Sequence, residues 1–98
     1  MVDRTKLAEG LLAATQRKAD RQGLKRYSQH QLATDVGTAQ PYLSRVMRGQ
    51  AMPSRDMLLR LCRALECSTE EAAEIFSHTD YRAPTDEELE DEDSHVAA

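Results

Sequence analysis

Apolar residues return every three or four positions along most of the chain, in helical stripes separated by short turn signals. From Arg4 to Gln22, Leu7, Ala8, Leu11, Ala14, Thr15 and Lys18 mark one helical stripe that weakens towards its C-terminal end, and Gly23 is placed to stop it in a left-handed conformation. A second helix opens at Tyr27-Ser28, where Ser28 and Gln31 have the spacing of a capping box. Leu32, Ala33 and Val36 form its apolar face, and Gly37 ends it. A third runs from Gln40 to Met47 with Leu43 and Val46 facing inward. Pro41 is tolerated there because its missing N–H falls in the first turn, where no intrahelical partner exists. Ser54 caps a fourth helix carrying Met57, Leu58, Leu61, Cys62 and Leu65. Ser68 and Glu71 form a second capping box, opening a fifth helix with Ala72, Ile75 and Phe76.

Composition agrees with an all-α fold. The 98 residues are rich in Leu and Ala, only 4% aromatic and without Trp, which disfavours a β-sandwich or barrel. No apolar run approaches the roughly 20 residues that cross a bilayer, and no secretory leader opens the chain, so a soluble cytoplasmic protein without membrane contact is expected. The net charge of −4 conceals an asymmetry: residues 1–65 carry +7 and residues 66–98 carry −11. A basic body attracts a polyanion, and an acidic tail binds partners, solubilises or mimics nucleic acid. From Thr79 to Ala98 one Leu, one Val and one Tyr stand against eight acids, too little apolar area to offset the entropy of ordering. The expected organisation is therefore a five-helix domain over 1–78 and a disordered acidic tail over 79–98, in which Thr85 and Glu88 cap no more than a transient turn.

Candidate chemistry is sparse. With no secretory leader, Cys62 and Cys67 are not expected to form a structural disulfide, and Cys62 reads as a small buried hydrophobe. His30, His78 and His95 are scattered and no CxxC exists, so neither a metal nor a cofactor is expected. The tail carboxylates lack a paired His or Ser, and the chain is not read as an enzyme.

The strongest signal lies between Gln29 and Val46. Two short helices meet at Val36-Gly37-Thr38, with Ala33 small enough for a close crossing and Gly37 suited to a positive φ. Leu32, Val36, Leu43 and Val46 fix the angle between them, leaving the other face of the second helix to point outward. This is the helix-turn-helix arrangement, whose second helix enters the major groove of DNA.

The same residues resemble the lambda-repressor-like (Cro/CI, XRE) family of DNA-binding regulators. The resemblance rests on Ser28-Gln29, Leu32-Ala33, Gly37-Thr38, Gln40, Leu43-Ser44-Arg45-Val46, Arg48-Gly49, Pro53-Ser54, Ala64-Leu65 and Ile75-Phe76. It implies a compact five-helix fold and a function as a sequence-specific regulator of transcription, a repressor, binding double-stranded DNA as a homodimer. Three departures stand out. Met47 replaces the Glu that the family commonly pairs with a basic residue of its first helix. Pro41 takes the place of a polar base reader. The connector Gly23 to Ser28 is longer than usual and carries Lys25 and Arg26.

The outward face of helix 40–47 supplies the base-contacting candidates Ala39, Gln40, Pro41, Ser44 and Arg45. An amide such as Gln40 can bond adenine N6 and N7 together, and the planar fork of Arg45 suits guanine O6 and N7. Ser28, Gln29, Tyr42, Arg48, Gln50 and Arg55 are the phosphate-contacting candidates, of which Tyr42 could equally pack between helices. Lys6, Arg17, Lys18, Arg21, Arg60 and Arg63 read as solvated faces, and Leu59 as part of an exposed dimer surface. An alternative reading is an antitoxin or accessory protein that autoregulates its operon and binds a protein partner through the acidic tail. A third is a helical interaction module without DNA function, against which the basic outward face argues.

Overall fold

A computed structural model of the chain describes residues 2–90, and among them are six α-helices and no strands. They are α1 (Arg4–Arg21), α2 (Gln29–Val36), α3 (Gln40–Met47), α4 (Arg55–Ala64), α5 (Thr69–Phe76) and α6 (Asp86–Glu90). The first five fall where the apolar periodicity places them. Their ends are set by local chemistry. Asp3, Ser28, Ser54 and Ser68 each accept a backbone N–H of the following first turn. The box at Ser68 is complete, with Glu71 returning a carboxylate to the Ser68 amide, which holds that carboxyl below its usual range. The box expected at Ser28 is half-formed. Ser28 Oγ accepts from Gln31 N at 3.1 Å, but the Gln31 amide turns instead to Asp35 at 2.8 Å, an i,i+4 partner on the same face.

Leu7, Leu11, Leu32, Leu43, Leu58, Leu61, Leu65, Ile75 and Phe76 form one continuous core to which α1 to α5 all contribute. Cys62 is fully buried in it, as expected. Leu59, expected on an exposed surface, is also buried, because the apolar stripe of α4 is wide enough to include it. Met47 is buried too, at 2% exposure, in the place where the resembled family has a Glu.

Two features differ from expectation. Lys18 and Arg21 are not solvated ornaments of α1. Lys18 Nζ donates to Ala64 O at 2.6 Å and Arg21 Nη2 donates to Leu65 O at 2.7 Å, so α1 caps the terminal carbonyls of α4. Lys18 also lies 4.8 Å from the ring centre of Tyr27 and 3.4 Å from the Glu66 carboxylate. Packing also continues past residue 78. The stretch 79–90, expected to lack fixed structure, lies along α4: Tyr81 Oη donates to Pro53 O at 2.7 Å, and Arg63 Nε donates to Glu88 O at 2.7 Å. Thr85 and Glu88 cap each other reciprocally and start α6. The remainder of the tail, 91–98, lies outside the described residues.

Candidate nucleic-acid interface

The turn between α2 and α3 positions everything that follows. Gly37 adopts φ 73°, and Thr38 N returns to Ala33 O at 2.9 Å, which reverses the chain within two residues. An L-residue at Gly37 would be strained there. Leu32, Ala33 and Val36 of α2 and Leu43, Val46 and Met47 of α3 are then all buried, which locks the two helices as one unit. At its far end α3 closes through Gly49, at φ 74°, where an added Cβ would come within 3.3 Å of Arg4 O. Helix α3 is thus packed against α2 on one side and the start of α1 on the other.

With its inward residues fixed, α3 presents the rest to solvent. Ala39, Gln40, Pro41, Arg45, Arg48 and Gln50 are exposed, while Ser44 and Tyr42 are half-buried. Tyr42 rests against the hydrophobic core. Pro41 occupies the first turn, and Ala39 provides no side-chain cap. The side chains of Gln40 and Arg45 make no hydrogen bond or ion pair with another described residue, whereas Arg48 Nε touches Ser44 O at 3.3 Å.

Ser28, Gln29 and Gln40 come together along one open groove whose rim also carries Arg26 and His30 and whose floor includes Leu12 and Met47. The long connector thereby delivers Arg26 next to the capped start of α2. Its place just before the Ser28 cap was the only hint in the sequence.

Arg55 is differently placed from the other candidates. Its guanidinium grips both oxygens of Glu88, Nε donates to Arg82 O at 3.0 Å, and the group lies 5.7 Å from the ring centre of Phe76. The hydrogen bonds from Arg55 and from Thr85 N hold the Glu88 carboxyl down to about 2, and the same pairing raises Arg55. Arg55 is therefore engaged within the protein.

A helix-turn-helix family model matches residues 18–71, from the end of α1 into α5, which is more than half of the chain. The chain belongs to the lambda-repressor-like (XRE) helix-turn-helix family. This is a family of DNA-binding transcriptional regulators, not of enzymes. No curated protein and no solved structure matches the chain. Met47 lines the same groove as Leu12, Thr15 and Gln16 of α1 and Arg26 of the connector, and as a thioether it makes no ion pair there. Among the described residues no cluster of His, Cys, Asp or Glu could hold a metal, and no helix is long and apolar enough to cross a membrane.

Proposed function

We propose that this helix-turn-helix protein is a sequence-specific regulator, acting as a repressor, that lays α3 in the major groove of duplex DNA. One observation carries the reading: Gln40 and Arg45 stand exposed on a rigidly clamped helix with their donors and acceptors unengaged. Such groups bond base edges without first breaking an internal contact. Arg45 takes guanine or the adjacent phosphate, Gln40 takes adenine, and Ala39, Pro41 and Ser44 make smaller contacts such as those to a thymine methyl. Ser28, Gln29, Tyr42, Arg48 and Gln50 hold phosphates and set the register. Arg55 joins them only if a phosphate displaces Glu88. A homodimer would place two α3 helices about one helical turn apart, roughly 34–36 Å. Such a protein works in the cytoplasm, at the nucleoid.

The test is binding of the purified protein to its own upstream DNA against a scrambled duplex of equal length, at two salt concentrations. Selective binding that survives moderate salt supports the reading. In Arg45→Ala or Gln40→Ala, a loss of about 1–3 kcal/mol confined to one base pair of the site marks a base contact. An equal loss on every sequence marks a phosphate contact.

A second reading, an antitoxin or accessory protein, draws on the exposed Glu87 and Glu90 of α6. Truncation after Glu90 combined with Glu87→Gln and Glu90→Gln removes these two carboxylates of α6 together with Asp91, Glu92 and Asp93, and leaves Arg55 and Glu88 unaltered. A partner lost with that truncation, at unchanged DNA affinity, would favour it.

A further inference from the structure

Four helices of the domain end in the same way. The backbone closes by a hydrogen bond from the N–H five residues on, Leu24 to Ala19, Thr38 to Ala33, Gln50 to Arg45 and Cys67 to Cys62, with distances of 2.8–3.0 Å. In the first three a glycine takes the left-handed position: Gly23, Gly37 or Gly49. In α4 that position is Glu66, at φ 56°, and the pair brought together across the turn is Cys62 and Cys67. Both are free thiols. This type of helix end sets the side chains of these two positions beside each other, where they frequently pack together.

The two cysteines sit in unlike surroundings. Cys62 is sealed in the core, while Cys67 is partly exposed at the joint between α4 and α5. Arg17 and Arg21 of α1 lie on the Cys67 side, Arg21 bonded to Leu65 O at 2.7 Å and Arg17 paired with Glu71. We propose that Cys67 is an oxidation site for small peroxides and that Cys62 is its resolving thiol, so that the end of α4 closes into an intramolecular disulfide. The hydrogen bond from the Cys62 thiol, helped by Arg17 and Arg21, draws Cys67 below the usual thiol range against the opposing effects of burial and Glu71. The same bond, with burial, pushes Cys62 up, so it keeps its proton and serves as donor. An accessible, thiolate-prone sulfur beside a second cysteine is the arrangement in which peroxide reacts first at Cys67; Cys62 must give up its proton as its sulfur attacks.

The steps balance. The Cys67 thiolate attacks one oxygen of hydrogen peroxide; an S–O bond forms, the O–O bond breaks, and hydroxide leaves to become water. The sulfur is oxidised by two electrons to a sulfenic acid and the peroxide is reduced. The Cys62 sulfur then attacks the Cys67 sulfur; the S–S bond forms, the S–O bond breaks, and the Cys62 proton departs with the leaving hydroxide as a second water. The new bond fastens the turn whose carbonyls Ala64 and Leu65 are already held by Lys18 and Arg21.

The experiment treats the folded full-length chain with hydrogen peroxide and follows intact mass and thiol-blocking peptide maps. The expected result is a monomer lighter by two hydrogens, with Cys62 and Cys67 linked. Cys62→Ser should stop at a Cys67 sulfenic acid, trapped by a dione reagent. Cys67→Ser should leave Cys62 at least about tenfold slower to oxidise. A wild-type protein that keeps both thiols, a disulfide that forms only in denaturant, a covalent dimer in place of the internal link, or a Cys62 that reacts first would each overturn the proposal. Adding the dione during oxidation of the wild-type protein and mapping which cysteine it labels decides the order of attack even if a variant fails to fold.

Discussion

Arg55 and Glu88, 33 residues apart, meet as a two-pronged pair, Nη1 to Oε2 at 2.9 Å and Nη2 to Oε1 at 3.1 Å. The pair joins the first turn of α4 to α6. Both side chains are about a quarter exposed, and Arg82 stands 3.6 Å from the same carboxylate. A planar fork on a carboxylate needs little further ordering once formed, which sets it apart from an ordinary surface pair. A double-mutant cycle with Arg55→Ala and Glu88→Gln should give a coupling energy of about 1 kcal/mol in chemical unfolding. A coupling indistinguishable from zero would mean that Tyr81 and Arg63 hold the segment without it.

The same pair makes the protein acid-sensitive in a defined window. Glu88 is held down to about 2 in the folded state, against about 4.3 in an unfolded chain. A depressed carboxyl contributes its stability above the unfolded value and loses it as pH falls through the folded one. Thermal stability should therefore drop between about pH 4.5 and 2 in part through Glu88. Glu88→Gln should be less stable at neutral pH yet fall less steeply over that interval. Parallel pH profiles for the two proteins would contradict this.

Lys18 is a structural cation. It is only 9% exposed, and its ammonium satisfies Ala64 O. Lys18→Met keeps the stem and removes the donor, leaving a helix-terminal carbonyl without its partner. The expected loss is about 1–3 kcal/mol, read from the unfolding midpoint, with no change in DNA affinity under conditions where the variant stays folded. An unchanged midpoint would show that water replaces the ammonium at no cost.

Met47 fills a place where related proteins carry an acid, but α1 offers Leu12, Thr15 and Gln16 there and no cation. Met47→Glu would bury a charge without a partner on α1 and should destabilise by about 1–3 kcal/mol at neutral pH, the part that Arg26 on the same groove does not offset. Pairing it with Gln16→Arg should recover part of the loss. Full stability of the single variant would mean that the side chain escapes to the groove.

Local code explains why so much of the fold was legible. Ser54, Ser68 and Gly37 each act within four residues, and the buried positions of α2 and α3 follow from spacing alone. The exposed status of Gln40 and Arg45 follows from the same spacing. The largest features that were not legible join distant residues. Lys18 meets Ala64 and Arg21 meets Leu65 across more than 40 positions, and a helical stripe cannot show which polar neighbour faces another helix's last carbonyls. Composition likewise counted Glu88 as one more acid in a repelling run, because the arginine that grips its carboxylate, Arg55, lies 33 residues away on α4. Gln31 illustrates competition at short range: Asp35 outbids the Ser28 amide for the same side chain.

The internal engagement of basic side chains changes how the charge asymmetry should be understood. Lys18 and Arg21 serve α4, Arg17 serves Glu71, Arg60 serves Asp56, and Arg55 and Arg63 serve α6. The cations of the basic body that make neither an ion pair nor a side-chain hydrogen bond to another element are Arg4, Lys6, Lys25, Arg26, Arg45 and Arg48, which lie at the start of α1, in the connector and on or just after α3. Each phosphate neutralised releases about 0.9 of a condensed counterion from duplex DNA. One chain can therefore liberate only as many ions as these side chains reach, about five at most, however basic residues 1–65 look on paper. The fold has converted half of its positive charge from a long-range attraction into internal scaffolding, and what remains is concentrated beside the helix that would read the bases.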